Sequence, residues 1–321
     1  MSEEKIDILE NTIRSHKNLL EILLTDRTRT TASKTHNILW ATDSYAGHKP
    51  KDEIKIEDIT GKNTHLIQPR IAKSKEEQKA RTRDKAEVFT PKEIVDEMNK
   101  QIDWNCGYWP VTEENWQDYV LENRLEITCG EAPFIVGRYN VANGKKILKL
   151  SERVGFLDRK LQVVNKFAKN KDEWVAWTIK AFKASYGYEW QGDNLLLARE
   201  NLLFTFIDYW NDRFSDDRIN LERKVSETKM KLLLEIAEII SWNIFQMDGV
   251  KFVVPMSCKH EIVMREVPPM MLAMGEKPKV LRKDECPGCK TANPHRHNGK
   301  YVKVMDWEIG KAIKFESLLK K

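Results

Sequence analysis

The spacing of apolar residues predicts a chain in which helices and strands alternate. Apolar side chains recur at three- and four-residue intervals in several segments, the pattern of a helix with one face against a core. These segments are 5–25, 157–182, 195–210 and 232–242. Shorter apolar runs at 37–42 and 186–190 have the length of strands. The combination favours an α/β fold with a helical N-terminal region.

A small-residue turn separates two apolar segments in the middle of the chain. Leu125 and Ile127 end a short apolar run, Thr128-Cys129-Gly130 follows, and a second apolar segment extends from Ala132 to Tyr139. We expect a strand, a turn and a helix, an arrangement that directs backbone N–H groups at a ligand above the turn. An ordinary loop is the alternative that this pattern leaves open.

Two further segments have residues that mark the start of a helix. Pro91 is predicted in the first turn of a helix, with Thr90 as its N-cap. Glu189 lies at the C-terminal end of the strand predicted at 186–190, and Asp193 is the predicted N-cap of the next helix. A carboxylate in the position of Glu189 can accept hydrogen bonds from both hydroxyl groups of a ribose.

These segments together resemble a known family. Val88, Phe89, Thr90 and Pro91, followed by Ile94, Val95 and Met98, resemble the F-x-T-P segment that opens the gamma class of adenine-specific DNA methyltransferases. Residues 126–134 are similar, in order and spacing, to the next motif of that class, Asp-Pro-x-Cys-Gly-x-Gly-x-Phe. Nearly the whole chain, including residues 38–43 and 85–91, is also similar to bacterial proteins called restriction endonuclease subunit M.

The second motif departs from the family pattern in three places. Glu126 stands for Asp, Ile127 stands for Pro, and Ala132 occupies the position of the second Gly. A loop with fewer glycines is expected to weaken the binding of S-adenosylmethionine, the cofactor of this family.

The resemblance implies a Rossmann-like sheet, incomplete here, that binds S-adenosylmethionine. It assigns the ribose contact to Glu189 and a contact with an adenine amine to Asp248, which precedes Gly249. A turn aspartate is the alternative for Asp248. The cofactor-binding residues that the resemblance and the pattern indicate together are Phe89, Thr90, Pro91, Thr128, Cys129, Gly130, Glu189 and Asp248.

The catalytic motif of the family is missing from the sequence. Adenine methylation in this family uses an Asn-Pro-Pro-Tyr segment, whose polar groups hold the amine and whose ring stacks on a flipped base. Val267-Pro268-Pro269-Met270 has the two prolines without the polar and aromatic neighbours. We therefore expect an adenine-specific component of a restriction-modification system that needs a partner methyltransferase or specificity chain. The alternative is an inactive DNA- or protein-binding module that regulates restriction or modification.

Cysteine and histidine residues near the C-terminus have the spacing of metal ligands. Cys258-x-His260 and Cys286-x-x-Cys289 form two close pairs, and Pro287-Gly288 turns the chain between the last two thiols. Four such ligands suit a structural, tetrahedral zinc ion. His295 and His297 are further candidates for the same site.

Charge and hydropathy complete the sequence-based expectations. The net charge of +5 is compatible with double-stranded DNA as a partner, and basic residues in 70–85 are candidates for phosphate contacts or for a solvated helix face. With neither a signal-peptide pattern nor a long apolar run, we expect a cytoplasmic protein that does not enter a membrane. The predicted divisions are 1–85, a helical and basic region; 86–255, the methyltransferase core; 256–300, the zinc element; and 301–321, a tail.

Overall fold

Three short strands form a parallel sheet at the centre of the molecule. The computed structural model describes residues 12–85, 87, 90–140, 143–264, 267–273, 275, 277 and 280–319. Strands β1 (Arg124–Glu126), β2 (Ser185–Glu189) and β3 (Ile244–Gln246) lie in the order β1-β2-β3. The register pairs Leu125 with Tyr186, and Tyr188 with Phe245. The predicted α/β class is confirmed for this part of the chain.

Helices surround the sheet and connect its strands. In the described residues they are α1 (Lys17–Leu24), α2 (Ile56–Ile59), α3 (Lys75–Lys85), α4 (Lys92–Asn105), α5 (Trp116–Leu121), α6 (Phe156–Phe167), α7 (Lys171–Lys183), α8 (Gly192–Arg213), α9 (Glu227–Asn243), α10 (Pro269–Ala273) and α11 (Pro287–Thr291). Short 3-10 helices occupy Ile13–Ser15, Gly61–Asn63, Arg70–Ala72, Leu150–Glu152, Ser215–Asp217 and Phe315–Leu318.

Helix α8 forms the centre of the core, because nearly all of its residues are buried. It packs against α9, which also contacts α1. Trp174 of α7 lies among aromatic side chains at the C-terminal end of α8, with ring centroids 5.9 Å from Trp210 and 5.3 Å from Phe214. Burial of such large rings stabilises the packing of α7 on α8.

The C-terminal part of the chain adds two antiparallel strand pairs. Strands β4 (Glu261–Met264) and β5 (Val280–Asp284) form one pair, and β6 (Lys303–Asp306) and β7 (Lys311–Lys314) form the other. Val302 and Val304 are buried together with Tyr188 and Phe245 of the parallel sheet. The second pair is therefore packed directly on the sheet.

Several element boundaries differ from the sequence prediction. The helix predicted over 157–182 is interrupted at 168–170, where Asn170 accepts a hydrogen bond from the N–H of Glu173 and caps α7. Residues 37–42 form isolated bridges, at Asn37 and Leu39, instead of a regular strand. Asp193 lies inside the first turn of α8, whose N-cap is Gln191.

The helix predicted after the Thr128-Cys129-Gly130 turn is absent from the described structure of that region. Residues 131–137 form successive turns, and the next α-helix begins at Phe156. The carboxylate of Glu126 accepts hydrogen bonds from the N–H groups of Phe134 and Ile135, at 3.3 and 3.1 Å. These donors and Pro133 hold the backbone in a turn, so the expected helix N-terminus does not form there.

Several long polar side chains are buried in this core, Arg14 and Lys160 among them. Arg14 is paired with Glu200 of α8 and also donates to backbone carbonyl groups of the 64–67 segment. Lys160 of α6 donates to the carbonyl of Ala184 at 2.9 Å, and burial lowers the pKa of its amine well below the usual range. Each pair ties distant segments of the chain together.

Among the described residues, no helix is both long enough and apolar enough to cross a lipid bilayer.

Candidate cofactor and metal sites

The residues that follow the three parallel strands meet at one edge of the sheet. Cys129 continues the pairing beyond β1, because its N–H donates to the carbonyl of Tyr188 at 2.8 Å. Thr128 and Gly130 have φ values of 47° and 54°, so the backbone turns sharply on both sides of Cys129. The turn therefore lies tightly against the carboxyl end of β2.

Cys129 is a packing residue of this turn. Its side chain is buried, and a Cβ atom at Gly187 of β2 would lie 3.3 Å from Cys129 Sγ. Burial raises the pKa of the Cys129 thiol well above its usual range. The thiol is therefore neutral and takes the place that a side chain on Gly187 would fill.

Glu189 joins the turn to the end of β2. Its Oε2 accepts a hydrogen bond from the N–H of Gly130 at 2.8 Å, and its Oε1 accepts from Trp190 and Gln191 at 2.9 and 3.0 Å. Burial raises the pKa of this carboxyl group, and the three backbone donors oppose that shift. The structure thus brings the predicted ribose-binding acid and the glycine turn into direct contact.

Asp248 makes contacts within its own turn after β3. Its Oδ1 accepts hydrogen bonds from the N–H groups of Val250 and Lys251, both at 3.1 Å. Its Oδ2 lies 3.6 Å from the amine of Lys251. These contacts are those of a turn aspartate, the alternative that the sequence had left open.

Glu87, which precedes the F-x-T-P segment, contacts α8, and Pro91 lies at the start of α4. Phe89 is outside the described residues, whereas Pro91 is the N-cap of α4, which begins at Lys92 rather than at Pro91. Thr90 precedes it and is half-buried. Glu87 accepts a hydrogen bond from the amide of Asn194 at 3.4 Å, which places the start of this segment close to the helix that follows Glu189.

A buried ion-pair network anchors the same region, and the sequence did not reveal it. Arg81 lies 2.5 Å from Glu87 and 2.8 Å from Asp193, which also accepts a hydrogen bond from the hydroxyl of Tyr45 at 2.7 Å. Lys73 lies 3.8 Å from Asp193 in the same network. Arg81 is therefore unavailable for the phosphate contacts that the basic segment suggested. Arg81 is the buried side chain of a helix that is otherwise polar and largely exposed, and nothing in its local sequence distinguishes it from its basic neighbours.

Three cysteines and one histidine form a compact cluster near the C-terminus. The Sγ atoms of Cys258, Cys286 and Cys289 lie 3.6, 3.6 and 3.7 Å from Nδ1 of His297. All four potential ligand atoms lie within 4.8 Å of one another, so the group could hold a metal ion. The N–H of Asn298 also donates to Cys286 Sγ at 3.2 Å, which favours a thiolate there.

His260, the predicted fourth ligand, is not part of this cluster. Its side chain is exposed immediately before β4, while His297 takes the fourth position. The Cys286-x-x-Cys289 turn lies close to His297, because a Cβ atom at Gly288 would lie 2.6 Å from Cγ and Nδ1 of that residue. Glycine at this position lets the loop that carries His297 approach the thiols.

Neighbouring side chains hold His297 in place. The hydroxyl of Tyr301 accepts a hydrogen bond from the N–H of His297 at 2.9 Å and donates to the carbonyl of Pro294 at 2.8 Å. His295, the other candidate, instead pairs with Glu316. The loop geometry therefore selects one of the two histidines for the cluster.

Comparison of the chain with protein-family models, with curated proteins and with solved structures found no match. Any functional proposal therefore rests on the residues and contacts of this chain, together with the motifs that its sequence resembles.

Proposed function

We propose that the region around the parallel sheet is the S-adenosylmethionine-binding part of an adenine-specific DNA methyltransferase of a restriction-modification system. One observation carries the proposal. Gly130 and Glu189, which belong to separate motifs of the resemblance, are joined by a 2.8 Å hydrogen bond at the carboxyl ends of adjacent parallel strands. Nucleotide cofactors bind at this edge of Rossmann-like sheets. The three strands would then be part of such a sheet.

The same residues suggest how the cofactor would be held. S-adenosylmethionine supplies an electrophilic methyl group, and its ribose carries two hydroxyl donors. Glu189 would accept hydrogen bonds from these hydroxyl groups. They would compete with the hydrogen bond that Glu189 now accepts from the N–H of Gly130. The tight turn at Thr128 and Gly130 keeps the backbone close to that carboxylate. Binding would therefore require a local rearrangement of the turn, which agrees with the weak affinity that the missing glycine predicts.

The proposed partner follows from a motif that the sequence lacks, and the proposed substrate follows from the resemblance and from exposed basic residues. It has no Asn-Pro-Pro-Tyr segment, so we propose that a second polypeptide supplies the groups that hold the adenine amine. Double-stranded DNA is the proposed substrate. Lys75 and Lys79 of α3 are exposed and available to phosphate groups, whereas Arg83 is paired with Asp84 and Arg81 is buried in its ion pairs.

A second function is favoured by one feature of Glu189. Its carboxylate is buried and already accepts three backbone hydrogen bonds, which is a sufficient structural role for the residue. If the cofactor does not displace these contacts, the chain is an inactive methyltransferase-like module that binds DNA or protein and regulates restriction or modification.

For the cluster of three cysteines and His297 we propose a structural zinc ion. A tetrahedral zinc ion with Zn–S bonds of about 2.3 Å and Zn–N bonds of about 2.05 Å places sulfur and nitrogen about 3.6 Å apart. The observed separations are 3.6, 3.6 and 3.7 Å. Four protein ligands fill the tetrahedron, which is the arrangement of a structural rather than a catalytic zinc.

The methyltransferase proposal predicts activity only in the presence of a complementing chain. We expect no detectable DNA methylation by this chain alone, because it lacks the groups that orient the amine, and such orientation lowers the activation barrier by several kcal/mol. Adding a chain that carries Asn-Pro-Pro-Tyr, such as the product of a neighbouring gene, should restore activity. The measurement is incorporation of tritiated methyl groups into unmodified DNA, with the second chain alone as the control. Strong incorporation by the isolated chain would contradict the split-enzyme proposal.

A further inference from the structure

The positive charge of the chain is concentrated in its C-terminal element. Residues 256–321 contain 14 Lys and Arg residues against eight Asp and Glu residues, whereas residues 1–255 contain 40 against 41. The excess of positive charge therefore belongs to the part of the chain that carries the cluster of three cysteines and His297. Charge gathered in this way attracts a polyanion and raises its local concentration.

Three of these cations lie next to the cluster. Each is the sequence neighbour of a cluster residue: Lys259 of Cys258, Lys290 of Cys289, and Arg296 of His297. Because the four ligand atoms of the cluster lie within 4.8 Å of one another, the fold brings these basic residues into one small region. Lys300 joins them, since its N–H donates to the hydroxyl of Ser257, the residue before Cys258, at 3.0 Å.

The β6–β7 pair adds two more cations to this region. Lys303 and Lys314 lie directly opposite each other in the antiparallel register. The amine of Lys314 lies 5.5 Å from the centre of the Tyr301 ring, whose hydroxyl accepts a hydrogen bond from the N–H of His297. Tyr301 thus connects the strand pair to the cluster. Like charges directly opposite each other destabilise a strand pair, and an anion bound between them relieves that repulsion.

Six exposed cations, here called the basic face, are not balanced by carboxylates of the described chain. They are Lys259, Lys290, Arg296, Lys300, Lys303 and Lys314. None of them forms an ion pair within the described residues. The acids nearest in sequence to Lys314 and Lys303 are engaged elsewhere: Glu316 pairs with His295, and Asp306 accepts hydrogen bonds from backbone N–H groups of its own turn.

We propose that the basic face binds the phosphate backbone of duplex DNA. Contacts of Lys and Arg with phosphates supply essentially all of the affinity of sequence-independent DNA binding. A single strand fits less well, because its bases stack on exposed aromatic rings, whereas Tyr301, Trp307 and Phe315 of this element are all half-buried. The choice of DNA over RNA rests on the proposed function, whereas the phosphate-binding surface rests on the cations themselves.

The test is the anisotropy of a short fluorescein-labelled DNA duplex titrated with the full chain at several salt concentrations, without S-adenosylmethionine. The logarithm of the binding constant should fall linearly with the logarithm of the salt concentration, with a slope of about 0.9 for each phosphate contact. The variant Lys303→Gln/Lys314→Gln removes two contacts. We expect its slope to be smaller by about 2 and its binding at low salt to be weaker by roughly tenfold or more.

A matched control removes the same charge elsewhere. Lys169 and Lys231 are exposed and lie outside the C-terminal element, so Lys169→Gln/Lys231→Gln should leave the affinity and the slope unchanged. Urea unfolding should show Lys303→Gln/Lys314→Gln to be no less stable than the wild type, because the change removes a like-charge pair. Equal weakening by the two double variants, or no binding of the duplex by the wild-type chain, would overturn the proposal.

Three competitors identify the ligand. A single strand of the same sequence, an RNA duplex and a polyglutamate peptide of similar charge should each displace the labelled duplex less effectively than unlabelled duplex DNA does. Better displacement by the single strand or by RNA would contradict the assignment to duplex DNA, and equal displacement by polyglutamate would show that the basic face binds acidic protein instead. Cofactor binding by the same preparation reports on the proposed function separately: if the chain binds S-adenosylmethionine but not the duplex, the inference about the basic face is wrong and the cofactor site stands.

Discussion

Replacement of His297 by alanine is expected to release one zinc ion per chain and to destabilise the C-terminal element. His297 Nδ1 is the atom around which the three thiols lie, so its loss leaves an incomplete set of ligands. Structural zinc contributes directly to the free energy of folding, and we expect a loss on the order of 5 kcal/mol for this element. Native mass spectrometry measures the metal content, and thermal unfolding with and without a chelator measures the stability.

His260→Ala is the matched control for this prediction. The imidazole of His260 is exposed and lies outside the cluster, so this variant should keep its zinc and its unfolding temperature. Release of zinc by His260→Ala but not by His297→Ala would restore the ligand set that the sequence suggested. If the wild-type chain contains no metal and a chelator does not change its unfolding temperature, the zinc proposal is wrong.

Substitution of Arg14 by methionine is expected to destabilise the whole fold by about 3–5 kcal/mol, the usual result of leaving one partner of a buried ion pair alone. Arg14 Nε and Nη2 donate to the two carboxylate oxygens of Glu200 at 2.8 and 2.9 Å. Its Nη1 donates to the carbonyl groups of Thr64 and Ile67 at 2.7 and 3.0 Å. Burial acts to lower the pKa of Arg14, but Glu200 raises it above the usual value, so the guanidinium keeps its charge.

Urea unfolding followed by tryptophan fluorescence measures this effect. The double variant Arg14→Met/Glu200→Met should recover much of the lost stability, because the unpaired carboxylate is then removed as well. Arg83→Met is the control, since the ion pair of Arg83 with Asp84 is exposed and should not change the midpoint. Equal midpoints for Arg14→Met and Arg83→Met would show that the buried pair does not stabilise the fold.

Local patterns predicted the elements that carry the candidate cofactor site. The length of the run at 186–190 and the acid near its end placed Glu189 at the C-terminal end of a strand, and the structure has it at the end of β2. The same patterns did not predict that Glu126 accepts hydrogen bonds from the N–H groups of Phe134 and Ile135. Because these hydrogen bonds form, the prediction of a helix at 132–139 was wrong. The competing hydrogen bonds come from a buried side chain on the adjacent strand, which local propensity does not include.

The cluster of three cysteines and His297 shows the same limit at longer range. Three thiols were identified from their spacing, but the choice between His260 and His297 depends on how closely the loop that carries His297 approaches Gly288. The buried pair of Arg14 and Glu200 joins residues 186 positions apart. No periodicity in a single sequence encodes such a contact, so it could be found only in the folded chain.

The binding of S-adenosylmethionine to the purified, zinc-loaded chain tests the central claim most directly. Titration calorimetry should show saturable binding at one site, with a dissociation constant in roughly the micromolar to millimolar range. Glu189→Ala should abolish the heat, while Asp248→Asn should preserve most of it, because Asp248 is engaged in its own turn. Circular dichroism checks that both variants fold. If wild-type chain gives no heat, alone or with a complementing chain, the methyltransferase proposal is contradicted and the inactive regulatory module is favoured.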